Sequence, residues 1–144
     1  MSTTTNRITQ LQLVAVPSTD QDRSLAFYEV LGFERRNDTP WGDNYRWVEI
    51  YPPHGTAGIA LVPPRQGDST GVQTGIILNT EDIDAAHAEM EALDVDVDAE
   101  VARVGAPAAI RIGAVELVGP VPPMFWFRDP DGNALLMVEN KQRT

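Results

Sequence analysis

The chain has no cysteine. That absence excludes disulfides, thiolate-held metals and a cysteine nucleophile, and it is compatible with a reducing cytosol. Histidine is nearly missing as well, with only His54 and His87 present. Imidazole-rich metal centres and a serine–histidine relay therefore have little to be built from. His54 falls in a Pro52-Pro53-His54-Gly55 turn and His87 on an acidic helical stretch, and nothing in the chain order brings them together. No apolar run approaches the roughly 18 residues that a membrane-crossing helix needs. The polar start, Met1-Ser2-Thr3-Thr4-Thr5-Asn6, is unlike a secretory leader and reads as a frayed tail. Glycine-rich phosphate loops and a Gly-x-Ser-x-Gly elbow are also lacking.

Basic residues are scarce: 11 against 21 acidic ones, for a formal net charge of -10. Such a surface repels phosphate backbones and anionic lipid and attracts cations, although acidity also serves plain solubility. The expectation is a soluble, cytoplasmic protein with no nucleic-acid or membrane partner. At 144 residues with 42% hydrophobic content, the chain can bury one core.

Leu11 to Val16 is a short apolar run that predicts a buried strand, and Thr19 or Asp20 then offers an N-cap oxygen. Leu25, Phe27, Tyr28 and Leu31 follow at near-helical spacing, with Gly32 as the stop. Residues 33–38 read as a strand and Pro40-Trp41-Gly42-Asp43-Asn44 as a loop. Tyr45 to Tyr51 alternates with period two, and Ile59-Ala60-Leu61-Val62 completes a hairpin. That order is β-α-β-β-β. After the connector from Pro63 to Gly71 it starts again: a strand at 75–79, an Asp82 cap, a helix from Ile83 to Leu93, and strands at 95–104, 124–127 and 134–138. Shifting the first half by about 62 residues lays Asp20 on Asp82 and Leu31 on Leu93, the signature of an internally duplicated unit. Ala108 to Leu117 is extra, a small hairpin around Gly113-Ala114 that serves as a flap, a dimer contact or a harmless extension.

Two segments carry a family resemblance. Asp20-Gln21-Asp22-Arg23-Ser24-Leu25-Ala26-Phe27-Tyr28 with Leu31-Gly32-Phe33 lies near one end, and Phe127-Arg128-Asp129-Pro130-Asp131-Gly132-Asn133 near the other. Together they resemble the opening and closing signatures of the vicinal oxygen chelate superfamily: glyoxalase I, extradiol dioxygenases, and fosfomycin and bleomycin resistance proteins. The resemblance spans about Leu11 to Glu139. It implies an α+β fold in which two βαβββ modules form a cup-shaped mixed sheet. The whole of 1–144 is then one domain, with module 1 at about 10–63 and module 2 at about 72–140. It also implies a homodimer.

In metal-using members four strands each supply one ligand, typically His, Glu, His, Glu. Offsets from the motifs place those positions here at Leu13, Ala60, Gly75 and Leu136. None has a side chain that can donate an electron pair, so the implied cofactor is none and the metal ligands are none. Along Tyr45–Tyr51, Val48 and Ile50 are the helix-packed pair, which leaves Tyr45, Trp47, Glu49 and Tyr51 on the opposite face. With Met124, Trp126 and Leu136 from the second module they predict an aromatic-lined, mostly apolar cavity with one acid, the usual make-up of a small-molecule site. Asp129, Asp131 and Asn133 resemble a calcium loop only superficially, since the other ligands of that loop are absent. Two functions are compatible with this chain. One is a metal-independent binding protein of the bleomycin-resistance type, sequestering a drug or metabolite that is mostly apolar and cationic. The other is a metal-free enzyme, a lyase, isomerase or oxygenase-like relative, with Glu49 as general acid or base. Whether the chain is an enzyme stays open at this point.

Overall fold

Two hydrogen-bonded sheets of four strands, each backed by one helix, form the framework of the computed structural model, which describes residues 6–141. The N-terminal tail expectation falls on residues 1–5 and so lies outside the described residues. The chain divides into two compact units between Arg65 and Gln66, inside the Pro63–Gly71 connector.

In the first unit the order is β1 (Leu13–Pro17), α1 (Gln21–Val30), β2 (Glu34–Trp41), β3 (Tyr45–Tyr51) and β4 (Gly58–Val62), with sheet order β1-β4-β3-β2. Asp20 is the N-cap of α1, and its carboxylate accepts from the Arg23 backbone N–H at 3.0 Å. Gly32 ends the helix at φ 101°, a left-handed geometry that glycine adopts without a Cβ clash. The helix packs on Val48, Ile50 and Leu61, each almost fully buried. Gln21 fastens it there, its amide donating to the carbonyls of Arg46 at 2.7 Å and Leu61 at 2.8 Å. Arg46 reaches Asp22 on the helix at 2.6 Å, and that hydrogen bond draws the Asp22 carboxyl below its ordinary range.

The second unit repeats the plan with β5 (Gln73–Thr80), α2 (Ile83–Ala92), β6 (Asp96–Val97), β9 (Met124–Arg128) and β10 (Ala134–Glu139), in sheet order β5-β10-β9-β6. Between β6 and β9 the chain makes a separate two-stranded sheet, β7 (Ala109–Ile112) and β8 (Val115–Val118). Asp82 caps α2 as Asp20 caps α1, accepting from Ala85 N–H at 3.0 Å. Here the helix stop is Asp94 at φ 59° rather than a glycine. The Asp129–Asn133 turn is internally bonded, with its two ends, Asp129 and Asn133, buried. Asp129 accepts from the Asp131 and Asn133 N–H groups at 3.0 and 2.9 Å and from the Asn133 amide at 3.0 Å, and Asn133 in turn accepts from Val72 N–H at 3.2 Å.

Two boundaries differ from the sequence reading. β2 continues through Pro40 to Trp41, where a loop was expected; it is an edge strand, so a residue without an N–H leaves no ladder bond unmade on its outer side. The strand expected over 95–104 shrinks to Asp96–Val97 plus an isolated bridge between Ala102 and Met124. The Asp98 carboxylate takes the Trp126 N–H at 3.1 Å, and the His87 ring meets the Asp98 carbonyl at 2.7 Å, so the groups that would continue the ladder are used elsewhere.

Candidate functional site

Glu49 sits at the centre of the β3 face turned away from α1. Because Arg46, Val48 and Ile50 point to the helix side, period-two geometry sends Tyr45, Trp47, Glu49 and Tyr51 to the other. Cross-strand register then lines up Ala15, Ala60, Glu49 and Asn37 in one row. Three donors converge on the carboxylate: Trp47 Nε1 at 2.7 Å and Asn37 Nδ2 at 3.3 Å to Oε2, and Tyr51 Oη at 2.8 Å to Oε1. A carboxylate has about four acceptor positions, so Oε1 retains one. The hydrogen bond to Glu49, burial and the Glu49 charge together raise the Tyr51 phenol above its ordinary range, with Arg36 opposing. The Arg36 guanidinium lies 4.5 Å from the Tyr51 ring centroid, a cation–π contact.

That contact depends on a bulge. Arg35 faces Ile50 and Asn37 faces Glu49, so Arg36 is an extra residue in β2 and turns to the Tyr51 side. Gly58 makes room for the same ring, since a Cβ there would stand 2.7 Å from Tyr51 Cδ2 and 2.6 Å from the Ile50 carbonyl. Beside Glu49 the row is methyl-sized, Ala60 being buried and Ala15 exposed, while Trp41 and Tyr45 stand out at the β2–β3 end at 60% and 54% exposure.

In the second unit Phe125 packs edge-on against His87 of α2, so Met124 and Trp126 take the opposite face together with Leu136. These three pack with Ala102 and Ile110 in one buried cluster. Ile110 belongs to the β7–β8 hairpin, which therefore lies on this face.

The four positions that the resemblance assigns to ligands lie at matching sequence offsets in the two units. Leu13 lies two residues before Ala15, the β1 partner of Ala60; Gly75 lies two residues before Ile77, the β5 partner of Leu136. The same sequence offset recurs in both units, although Leu13 is in register opposite Gly58 while Gly75 lies within the β5 irregularity without a paired residue. By the same register Trp126, opposite Leu136, stands where Glu49 stands opposite Ala60. Leu13 is half-buried, Ala60 and Leu136 are buried, and Gly75 is exposed in an irregular part of β5 at φ 76°. A metal does not fit this donor set, because none of the four carries a side-chain lone pair. Among the described residues, no group of three or more His, Asp or Glu side chains is arranged to hold an ion.

The structure thus gathers Leu13, Tyr45, Trp47, Glu49 and Ala60 on one sheet face in the first unit. It gathers Met124, Trp126 and Leu136 on one face in the second, with Gly75 at the β5 irregularity. Sequence reasoning missed Asn37 as a Glu49 partner and Ile110 as the neighbour of Trp126. Each partnership crosses between strands, and the only available signal was the apolar alternation of residues 108–117.

Capped helices, the duplicated β-α-β-β-β order and the matching offsets define a duplicated α+β module. Residues 10–137 match the Glyoxalase/Bleomycin resistance protein/Dioxygenase superfamily, and the chain belongs to that superfamily. It is similar to a member of the same superfamily from Sphaerobacter thermophilus DSM 20745, with 28% identity and a TM-score of 0.75 over 92% of this chain and 98% of that one. It is also similar to TnmS3, an antibiotic binding protein from Streptomyces sp. CB03234, with 29% identity and a TM-score of 0.69 over 92% and 97%. The uncharacterized protein YetH of Bacillus subtilis (strain 168) is 26% identical over 139 residues, covering 92% of this chain and 99% of that protein. Members of the superfamily bind small molecules, and among the described residues no helix is long and apolar enough to cross a membrane.

Proposed function

We propose that this protein is a metal-independent binding protein that holds a mostly apolar, cationic small molecule against the Glu49 face and sequesters it without turnover. The observation that carries this reading is the clamp on Glu49. Trp47, Tyr51 and Asn37 all donate to its carboxylate, so the acid is fixed in place as an acceptor with an open position on Oε1. A fixed acceptor beside methyl-sized Ala60 and Ala15 suits a flat ligand whose N–H or positive charge meets the acid while its ring lies on the sheet. The net charge of -10 favours the same ligand class electrostatically. The likeness to an antibiotic binding protein supports sequestration of a drug or metabolite. Leu13 and Tyr45 border the surface, and a second copy of the chain is the expected protein partner.

The competing assignment, Glu49 as a general acid or base, needs a carboxylate free to exchange a proton with substrate. Three donors already engaged argue for holding over transfer. The test compares the planar cation proflavine with neutral acridine at pH 8. Losing a charge-assisted hydrogen bond should weaken proflavine binding to Glu49→Gln by about 10- to 100-fold and leave acridine within about twofold. Equal loss for both probes, or none, would overturn the reading. Chemical conversion of a bound ligand by the wild type, lost in Glu49→Gln while binding persists, would replace it with the enzymatic one.

A further inference from the structure

The two units follow one plan, yet the second contains a hairpin that the first lacks. In the first unit β2 and β3 are joined by the short turn at 42–44; in the second, the equivalent β6 and β9 are separated by a long segment carrying β7 and β8. These two strands pair only with each other and add nothing to the four-stranded sheet. One side of the hairpin is polar, with Arg111 and Glu116 paired at 2.7 Å. The other side is apolar, and its Ile110 is buried to 1% exposure against Met124, Trp126 and Leu136.

We infer that the β7–β8 hairpin is a displaceable strap that occupies, with Ile110, an apolar binding surface of the second unit, and that a neutral aromatic molecule takes this place when the strap lifts. Three observations carry this. The covered sheet is fully paired without the hairpin, so lifting it breaks no ladder of β5, β9 or β10. Among the described residues the side chain that hydrogen-bonds the hairpin to β5 is Gln73, whose amide donates to the Arg111 carbonyl at 3.1 Å and accepts from Gly113 N–H at 3.1 Å. Ile110 is the one fully buried side chain among the eight strand residues; the others are half-buried or exposed. A two-stranded hairpin is marginal by itself in water, so what keeps it docked is Gln73 and the packing of Ile110, with Ile112 and Leu117 beside it, on the cluster. The surface it covers is apolar and aromatic, with Trp126 as the platform, which sets the class of ligand.

The experiment uses the neutral fluorophore N-phenyl-1-naphthylamine with the full chain and with its Gln73→Ala variant. Because apparent affinity scales with the fraction of molecules in the open state, removing both Gln73 bonds should tighten the probe by about tenfold. Hydrogen exchange on the wild type provides a readout that needs no variant to fold. On adding the probe, amides of Ala109–Ile112 and Val115–Val118 should lose protection while those of Met124–Arg128 and Ala134–Glu139 keep or gain it. Probe affinity unchanged in Gln73→Ala, or hairpin amides that gain protection, would overturn the inference. Protection gained on strands of the first unit and on neither Met124–Arg128 nor Ala134–Glu139 would place the probe on the other face and overturn it too.

Discussion

Replacing Asn133 by aspartate isolates the contribution of a single buried contact, because the substitution keeps shape and changes only the sign of one interaction. The Asn133 amide donates to Asp129 Oδ2 at 3.0 Å, with Asn133 fully buried and Asp129 nearly so. In Asn133→Asp two carboxylates face each other at that separation. At an effective dielectric of about 20, two like charges 3 Å apart repel by about 5 kcal/mol. The lost charge-assisted hydrogen bond adds about 1.5–3 kcal/mol. Either figure is a large share of the about 5–15 kcal/mol that holds a domain together. Asn133→Ala has no repulsion; it loses the hydrogen bond to Asp129 and the one accepted from Val72 N–H, about 2–4 kcal/mol in all. The expected order at pH 7 is therefore wild type, then alanine, then aspartate, measured as urea midpoints with unchanged slope. The pH dependence gives a second signature. In the aspartate variant the pair raises one carboxyl's folded pKa above its unfolded value, so the penalty is full well above that raised pKa and shrinks as pH falls and a proton bridges the two oxygens. The difference between Asn133→Asp and wild type should thus narrow between pH 7 and pH 4, while that for Asn133→Ala stays level. Equal stability of the aspartate variant and wild type at pH 7, or a penalty independent of pH, would refute this account of the turn.

Two further measurements probe the Glu49 face. In a spectrophotometric titration a component above the ordinary tyrosine range should disappear in Tyr51→Phe and move down in Glu49→Gln, since Glu49 supplies the leading cause of the raised Tyr51 pKa. The sign follows: a folded pKa above the unfolded one gives stabilisation that is full below the unfolded value and lost as pH rises through the folded value, so Tyr51→Phe should reduce the loss of stability at alkaline pH. Gly58→Ala should cost about 2 kcal/mol or more, because its methyl meets the Ile50 carbonyl at 2.6 Å and displaces the Tyr51 ring. Gly75→Ala meets open space and should cost only the left-handed backbone penalty, about 1–2 kcal/mol; equal losses at the two glycines in thermal melts would contradict the packing described around Tyr51.

The legible parts of this chain were those written locally. Asp20 and Asp82 announce helix starts through a side-chain oxygen three residues from its donor, and the Tyr45–Tyr51 alternation assigns faces within one strand. Duplication was visible because both units repeat those local signs in the same order. Register was not. The extra Arg36 in β2 decides that Asn37 meets Glu49, and nothing in Glu34-Arg35-Arg36-Asn37 marks it, since bulges arise from the partner strand's demands. The hairpin at 109–118 could be read as a hairpin, but its destination over Trp126 depends on a long-range contact of Ile110. The extent of β6 was misjudged for a similar reason, since Asp98 meets Trp126 and Arg128 from far along the chain.

The irregular stretch of β5 constrains what could be installed at its bend. Opposite the single residue Leu135, this strand spends Thr74, Gly75 and Ile76, and it turns at Gly75 through a backbone angle that glycine alone adopts at no cost. A histidine introduced at residue 75 would inherit that twist along with the two surplus residues. Building a metal site through residue 75 would therefore require a deletion as well as point changes. Here the main chain, and not only the side chains, stands against an ion.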